Sequence, residues 1–216
     1  MKRILALALL VMWSACVVAD DASRIAGASF EGKVVVEWLD DPYVLKLRLV
    51  NDFAFHDATG IWVVPAGAVV DGRSLPTLFV KLVGRPFESN FRKTALVYDY
   101  AVKSQERSWE ESQRMFYDGL LAEGVIPAEA KVMYMLLNAT GPRWEIRGSY
   151  DCYGRCHHSR DADLRWSPKV HDEDVIALMS WVRSEDPSLE QIDQRVKQTV
   201  IEVSPHMIGR IQAPVQ

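Results

Sequence analysis

The chain has 216 residues, 49% of them hydrophobic, with 25 Lys and Arg against 29 Asp and Glu and a formal net charge of −4. That mildly acidic balance gives no reason to expect nucleic acid as a partner. The length suffices for one well-buried domain or a domain with an appendage, and no internal repeat or low-complexity tract divides it.

Met1, Lys2 and Arg3 make a basic start, Ile4 to Met12 a short apolar run, and Val17-Val18-Ala19 offers small or β-branched residues for cleavage. This is the pattern of a secretory signal peptide over residues 1–19. The run is shorter than the roughly 20 residues a spanning helix requires, and no later segment reaches that length. The expectation is a periplasmic or secreted protein with no stable membrane span after signal cleavage. Ser14-Ala15-Cys16 offers the alternative of a lipoprotein signal, although Trp13 stands where such signals carry an aliphatic residue. Cleavage after Ala19, the favoured reading, removes Lys2, Arg3 and Cys16 and leaves Cys152 and Cys156. An even pair in an oxidising compartment predicts a disulfide.

From Lys33 to Val64 the pattern is strand-like: Val34-Val35-Val36 is β-branched, Val44 to Leu49 alternates apolar with basic, and Gly60 to Val64 is apolar before Pro65. Asp40-Asp41-Pro42 and Asp57-Ala58-Thr59-Gly60 supply turns. A small antiparallel sheet follows, with the Lys46 and Arg48 face wetted. After Pro76 the period becomes helical, and a helix is predicted from about Asn90 to Val102. Ser108-Trp109-Glu110-Glu111 reads as a capping box for a helix running to about Ala122, with Gly124 as its stop. Pro127 opens another helix, apolar around most of its circumference and therefore buried, which ends at Gly141-Pro142.

Residues 143–169 lack periodicity and read as a long ordered loop or hairpin carrying the disulfide. Val175, Leu178, Met179 and Val182 mark one amphipathic helix, and Ser188 to Gln191 caps a second bearing Ile192, Val196, Val200 and Ile201. The two are expected to form a helical hairpin against the core. The fold class is thus α+β: a small antiparallel sheet, a helical core and a C-terminal helical hairpin. The organisation is signal 1–19, core domain 20–142, loop 143–169, C-terminal helices 170–203 and an irregular tail 204–216.

Each polar candidate has a bland reading beside a functional one. Asp71 and Ser74 line a site just after a strand, or form a turn and cap at the start of a helix near Pro76. Asp99 lies on an apolar helix, where a carboxylate requires partners, for which Arg92, Lys93 and Arg114 are available. Cys152, Cys156, His157 and His158 form a C-x-x-x-C-H-H cluster near Asp161, Asp163 and His171. Its residue types suit zinc, but the compartment favours cystine. His56 reads as a half-exposed strand residue, His206 falls in the tail, and no cofactor is expected.

The motifs in VPAGAVVDGRSLP, TALVYDY and SWEESQRMFYDGLL carry a family resemblance. Pro65, Gly67, Asp71, Gly72, Ser74 and Pro76, then Ala95, Asp99 and Tyr100, then Ser108, Glu111, Phe116 and Leu120 fit a known pattern. From about Val64 to Gly141 the chain resembles the phage and bacterial domain of unknown function catalogued as number 1353. Family members look like strands leading to V-P-x-G-x-x-x-D-G-x-S-x-P, then A-x-x-H-D-Y, then S-x-x-E-x-D on the next helix. Here Tyr98 stands in place of the histidine and Gln113 in place of the aspartate. Both replaced positions are those suited to acid-base work, since tyrosine titrates near pH 10 and an amide carries no charge. The resemblance implies a non-catalytic or degenerate member that binds an envelope or phage-related component. The alternatives are a hydrolase acting on an envelope component through Asp71, Ser74 and Asp99, and a metal-binding protein using Cys152, Cys156, His157 and His158.

Overall fold

The computed structural model describes residues 27–145 and 165–202. The signal segment 1–19, Cys16, the cluster of Cys152, Cys156, His157 and His158, and the tail 204–216 lie outside the described residues.

Among the described residues six short strands come first: β1 (Ser29–Glu31), β2 (Val36–Leu39), β3 (Lys46–Leu49), β4 (Phe53–Asp57), β5 (Gly60–Val64) and β6 (Val69–Val70). They form two antiparallel sheets, ordered β1-β4-β5 and β2-β3-β6, where the sequence suggested a single small one. The chain passes between the two sheets three times, the last time at Pro65. Proline ends β5 because it has no amide to continue the ladder, and the turn that follows is tied to the other sheet. The Gly67 N–H donates to the Leu49 carbonyl at 2.8 Å and the Leu49 N–H to the Ala68 carbonyl at 2.9 Å. Asp52 Oδ1 accepts the Ala66 N–H at 2.7 Å and fixes the same turn.

The alternation in the strands sorts their faces as expected. Leu47 and Leu49 are buried while Arg48 faces water, and Trp62 and Val64 are buried while Ile61 and Val63 are exposed. Register brings Phe53 opposite Val64 and Phe55 opposite Trp62, so the inward residues of β4 and β5 share one apolar face. His56 is half-buried on β4, with Nε2 2.7 Å from Glu31 across the sheet.

Among the described residues six helices follow: α1 (Thr77–Val83), α2 (Arg92–Ser104), α3 (Trp109–Ala122), α4 (Pro127–Thr140), α5 (Asp172–Glu185) and α6 (Leu189–Thr199). The Ser108 and Ser188 capping boxes are both formed, each hydroxyl accepting the N3 amide while the N3 side chain accepts the amide of the serine. Helix α4 is buried from Ala130 to Ala139 and is packed by α1, α3, α5 and α6, which explains its apolar circumference. Phe79, Phe91, Tyr98 and Phe116 join α1, α2 and α3 edge to face, with centroids 5.2–6.3 Å apart. Helices α5 and α6 lie mainly on α4 rather than on each other. The expected second C-terminal helix is shorter than its apolar pattern. Val200 is extended and Ile201 pairs with Lys169 through amide–carbonyl bonds of 2.8 and 3.0 Å, so Val200 and Ile201 lie beyond α6.

Helices α2 and α3 meet at a glycine. A Cβ built on Gly119 would lie 2.7 Å from Thr94 Oγ1 and 2.8 Å from Thr94 Cγ2. Thr94 is held in place by Glu123, whose carboxylate accepts the Thr94 hydroxyl at 2.7 Å and the Lys93 and Thr94 amides at 3.2 and 2.8 Å. The end of α3 therefore caps the start of α2, and Thr94 has no freedom to retreat. Gly119→Ala is expected to lower unfolding free energy by about 1–3 kcal/mol through overpacking, read as a reduced urea midpoint at unchanged m-value.

Candidate functional site

The residues Val69 to Pro76 leave β6 and cross the middle of α2 before α1 begins. Asp99, on α2 and only 1% exposed, turns its carboxylate towards this loop. Its Oδ2 accepts the Asp71 N–H at 2.9 Å and its Oδ1 accepts the Ser74 N–H at 3.1 Å. The Ser74 hydroxyl donates to the Asp99 main-chain carbonyl at 3.4 Å. Lys103, one turn along α2, brings Nζ to 2.8 Å from Asp99 Oδ2 and 2.9 Å from Asp71 Oδ1, and donates to the Val69 carbonyl at 3.4 Å. Asp71 closes a local turn by accepting the Arg73 amide at 3.0 Å.

Gly72 completes the loop. It adopts φ +70°, and a Cβ there would lie 2.6 Å from Pro86 Cγ and 3.1 Å from the Phe87 ring. A side chain is thus excluded both by backbone conformation and by space. The Asp71, Gly72 and Ser74 pattern is explained as a loop clamped between a carboxylate and a proline–phenylalanine pair. Hydrogen bonds to a charged group stabilise by about 1.5–3 kcal/mol each, so this clamp fixes the strand-to-helix crossing firmly.

The three candidates Asp71, Ser74 and Asp99 are brought together, but by the loop's backbone. Asp71 and Ser74 do not cap α1, whose N-cap is Pro76 without a side-chain bond. The expected partners of Asp99 also differ. Arg114 instead pairs with Glu190 and Asp193 on α6, Lys93 lies over the Phe30 ring, and Lys103 is the cation at Asp99. Its i+4 spacing from Asp99 on one helix was the available signal. Burial pushes the Asp71 carboxyl upward, but the Lys103 ammonium and the Arg73 amide outweigh it and hold its pKa below the usual carboxylate value.

Tyr98 is fully buried against Phe116, and its hydroxyl has no hydrogen-bond partner among the described residues. Burial, and then the neighbouring Asp99 charge, push its pKa well above that of a free phenol. Gln113 is also buried and donates Nε2–H to the Leu137 carbonyl at 3.4 Å. Tyr98 and Gln113 are therefore not joined to each other. One sits in the aromatic core and the other faces α4.

Two hollows flank this region. One, of about 440 Å³, is lined by Asp71, Arg73, Ser74, Lys103, Arg165 and Trp166 among others. The second, of about 420 Å³, lies between α3, α4 and α6 and includes Gln113, Arg114, Tyr134, Asn138, Arg143 and Asp193. Sequence reading did not single out Asn138, Arg143 or Asp193, because their convergence depends on how three helices pack. Among the described residues no group of three His, Cys, Asp or Glu side chains is placed to hold a metal ion. No described helix is long and apolar enough to cross a membrane.

The described residues thus define a small α+β domain with a strand-to-helix loop braced by a buried acid. Residues 47–137 match the family described as "Protein of unknown function (DUF1353)", to which this part of the chain is similar. The match reaches back beyond Val64 to Leu47 and so includes β3 to β5. Among curated proteins, the uncharacterized protein y4jT of Sinorhizobium fredii (strain NBRC 101917 / NGR234) is 38% identical over 107 residues, or 49% of this chain and 32% of the relative. The uncharacterized protein y4iH of the same strain is 35% identical over 97 residues, 44% of this chain and 41% of the relative. The chain thus covers well under half the length of either. No solved structure matches.

The brace gives a paired expectation for urea unfolding. Asp99→Asn puts an amide donor where two N–H groups and an ammonium converge, and is expected to cost about 1–3 kcal/mol at pH 7. Asp71 has a folded pKa below its unfolded value, so its contribution is present above the unfolded pKa and is lost as pH falls through the folded one. Across a pH series below about 4, Asp71→Asn should therefore lose less stability than the parent chain. Equal slopes in the two proteins would contradict this assignment.

Proposed function

We propose that this chain is an exported, non-catalytic member of its family that binds an envelope or phage-related component. The observation that carries the reading is the burial of Tyr98, at the position of the family histidine, with an unpartnered hydroxyl against Phe116. A group sealed in that way neither reaches a substrate nor titrates near neutral pH. The basic start, short apolar run and Val17-Val18-Ala19 at the N-terminus support export. The disulfide between Cys152 and Cys156 belongs to the same reading, since an oxidising compartment favours it.

The hydrolase alternative draws on the proximity of Asp71, Ser74 and Asp99 beside an open hollow. The geometry favours it less. A serine nucleophile requires a base within reach of its hydroxyl, whereas Ser74 Oγ is directed at a main-chain carbonyl and the Asp99 carboxylate already serves two amides and Lys103.

Variants at the replaced positions provide the test. Tyr98→Phe removes an unsatisfied buried hydroxyl and is expected to leave stability unchanged or raise it by up to about 1 kcal/mol. Tyr98→His with Gln113→Asp places two polar groups in surroundings repacked for other side chains. It is expected to lower the melting temperature without creating esterase, lipase or peptidoglycan hydrolase activity. A stable double variant that gains such activity would show a disabled catalytic scaffold instead. The intact mass of the exported product, expected to begin at Asp20, checks the processing.

A further inference from the structure

The hollow between α3, α4 and α6 is more organised than a gap in packing. Its back wall is set by Asp193, which accepts the Tyr134 hydroxyl at 2.5 Å and the Asn138 amide at 2.7 Å and pairs with Arg114. Its rim is set by Arg143, only 5% exposed, which donates to the Asn138 carbonyl at 2.9 Å, pairs with Glu202 and lies 4.4 Å from the Trp109 ring centroid. Arg143 Nε is buried and has no partner among the described residues.

Trp166 stands at the mouth of both hollows. A two-bond antiparallel bridge fixes its backbone to Arg143, with N–H to carbonyl distances of 2.7 and 3.1 Å. Its indole Nε1–H donates to Glu202 at 3.3 Å, which sets the plane of the ring. Among the described residues no other ring or cation stacks on that indole. Among the described residues it is an oriented aromatic platform without a stacking partner.

The charges around the hollow balance: Arg114, Arg143 and Lys197 face Glu110, Asp193 and Glu202. A balanced lining gives no net attraction for a phosphate or a polycation. It suits a neutral ligand with many hydroxyls, because planar amide, carboxylate and guanidinium groups each bind adjacent hydroxyls while an aromatic face covers the C–H side of a ring. Glu110 and Lys197 form no ion pair among the described residues and so retain that capacity. The volume of about 420 Å³ falls in the range of small-ligand sites.

We infer that this hollow is a binding site for a neutral saccharide, with Trp166 as the stacking platform and Glu110, Gln113, Arg143 and Lys197 as the polar contacts to its hydroxyls. The assignment rests on the binding-protein reading above and names the chemical class that it takes.

The test is titration of the purified chain by calorimetry and saturation-transfer NMR. The probes are the β-1,4 dimer of N-acetylglucosamine, cellobiose and maltose, with inorganic phosphate as the anionic control. At least one neutral saccharide is expected to bind with Kd near about 1 mM. Trp166→Ala should weaken it at least about tenfold, Trp166→Phe should stay within about threefold, and Glu110→Gln and Lys197→Met should each weaken it about threefold or more. Binding of none of the three sugars at about 20 mM overturns the site, as does binding unaltered in all of these variants. Binding of phosphate in place of the sugars overturns it as well. If Trp166→Ala fails to fold, the two surface variants still decide the question. Cleavage of a bound probe would sink the non-catalytic reading while supporting the site, whereas absence of both binding and cleavage overturns the site and leaves that reading standing.

Discussion

The carboxylate of Asp99 is the constraint around which this domain is arranged. It lies in an apolar helix face, where an ionised group is tolerated only with its lone pairs occupied. The two amides of the Asp71–Ser74 loop and the Lys103 ammonium occupy them. That requirement ties the end of β6 to the centre of α2 and thereby sets where α1 begins. Gly72 follows from the same geometry, since the loop is pressed from its other side by Pro86 and Phe87. The polar groups of the element thus have a mechanical role in holding the loop.

A second, half-buried polar arrangement governs the other end of the helical core. Asp193 holds Tyr134, Asn138 and Arg114, so α6 is keyed to α3 and α4 by hydrogen bonds as well as by Ile192 and Val196. Arg143 is buried, and that burial lowers its pKa to about 10 against the opposing charge of Glu110. Networks of this kind position side chains closely because each member fixes the next. The same order that keeps α6 in place leaves Trp166 and Gln113 facing a shared hollow. The proposed site and the structural keying therefore draw on one set of residues.

The position of Tyr98 connects these observations to the family. A histidine at that place would bring a titratable ring among Phe79, Phe91 and Phe116, and the present chain instead brings a phenol whose hydroxyl is left without a partner. Gln113 has turned to the Leu137 carbonyl. Neither side chain is placed beside the other, and both are taken up by packing within the helical core.

Local chemistry alone was enough to place most elements. Both capping boxes, Pro127 at the first turn of α4, the all-round apolar circumference of that helix and the alternation in β3 to β5 are written in neighbouring residues, because each depends on contacts within a few positions. Asp99 was legible as a carboxylate that required partners. Its partners were not, since the two amides lie 25 and 28 residues away and amides have no residue-type signature. The division of the strands into two sheets, the Gly119–Thr94 contact and the early end of α6 before Val200 likewise arise from packing between distant segments. The site shows the same divide: residue types nominated Asp71, Ser74 and Asp99, whereas only the assembled helices show that their polar groups brace a loop. The convergence of Arg143, Trp166 and Asp193 from three separate parts of the chain exists only once α6 has docked on α4.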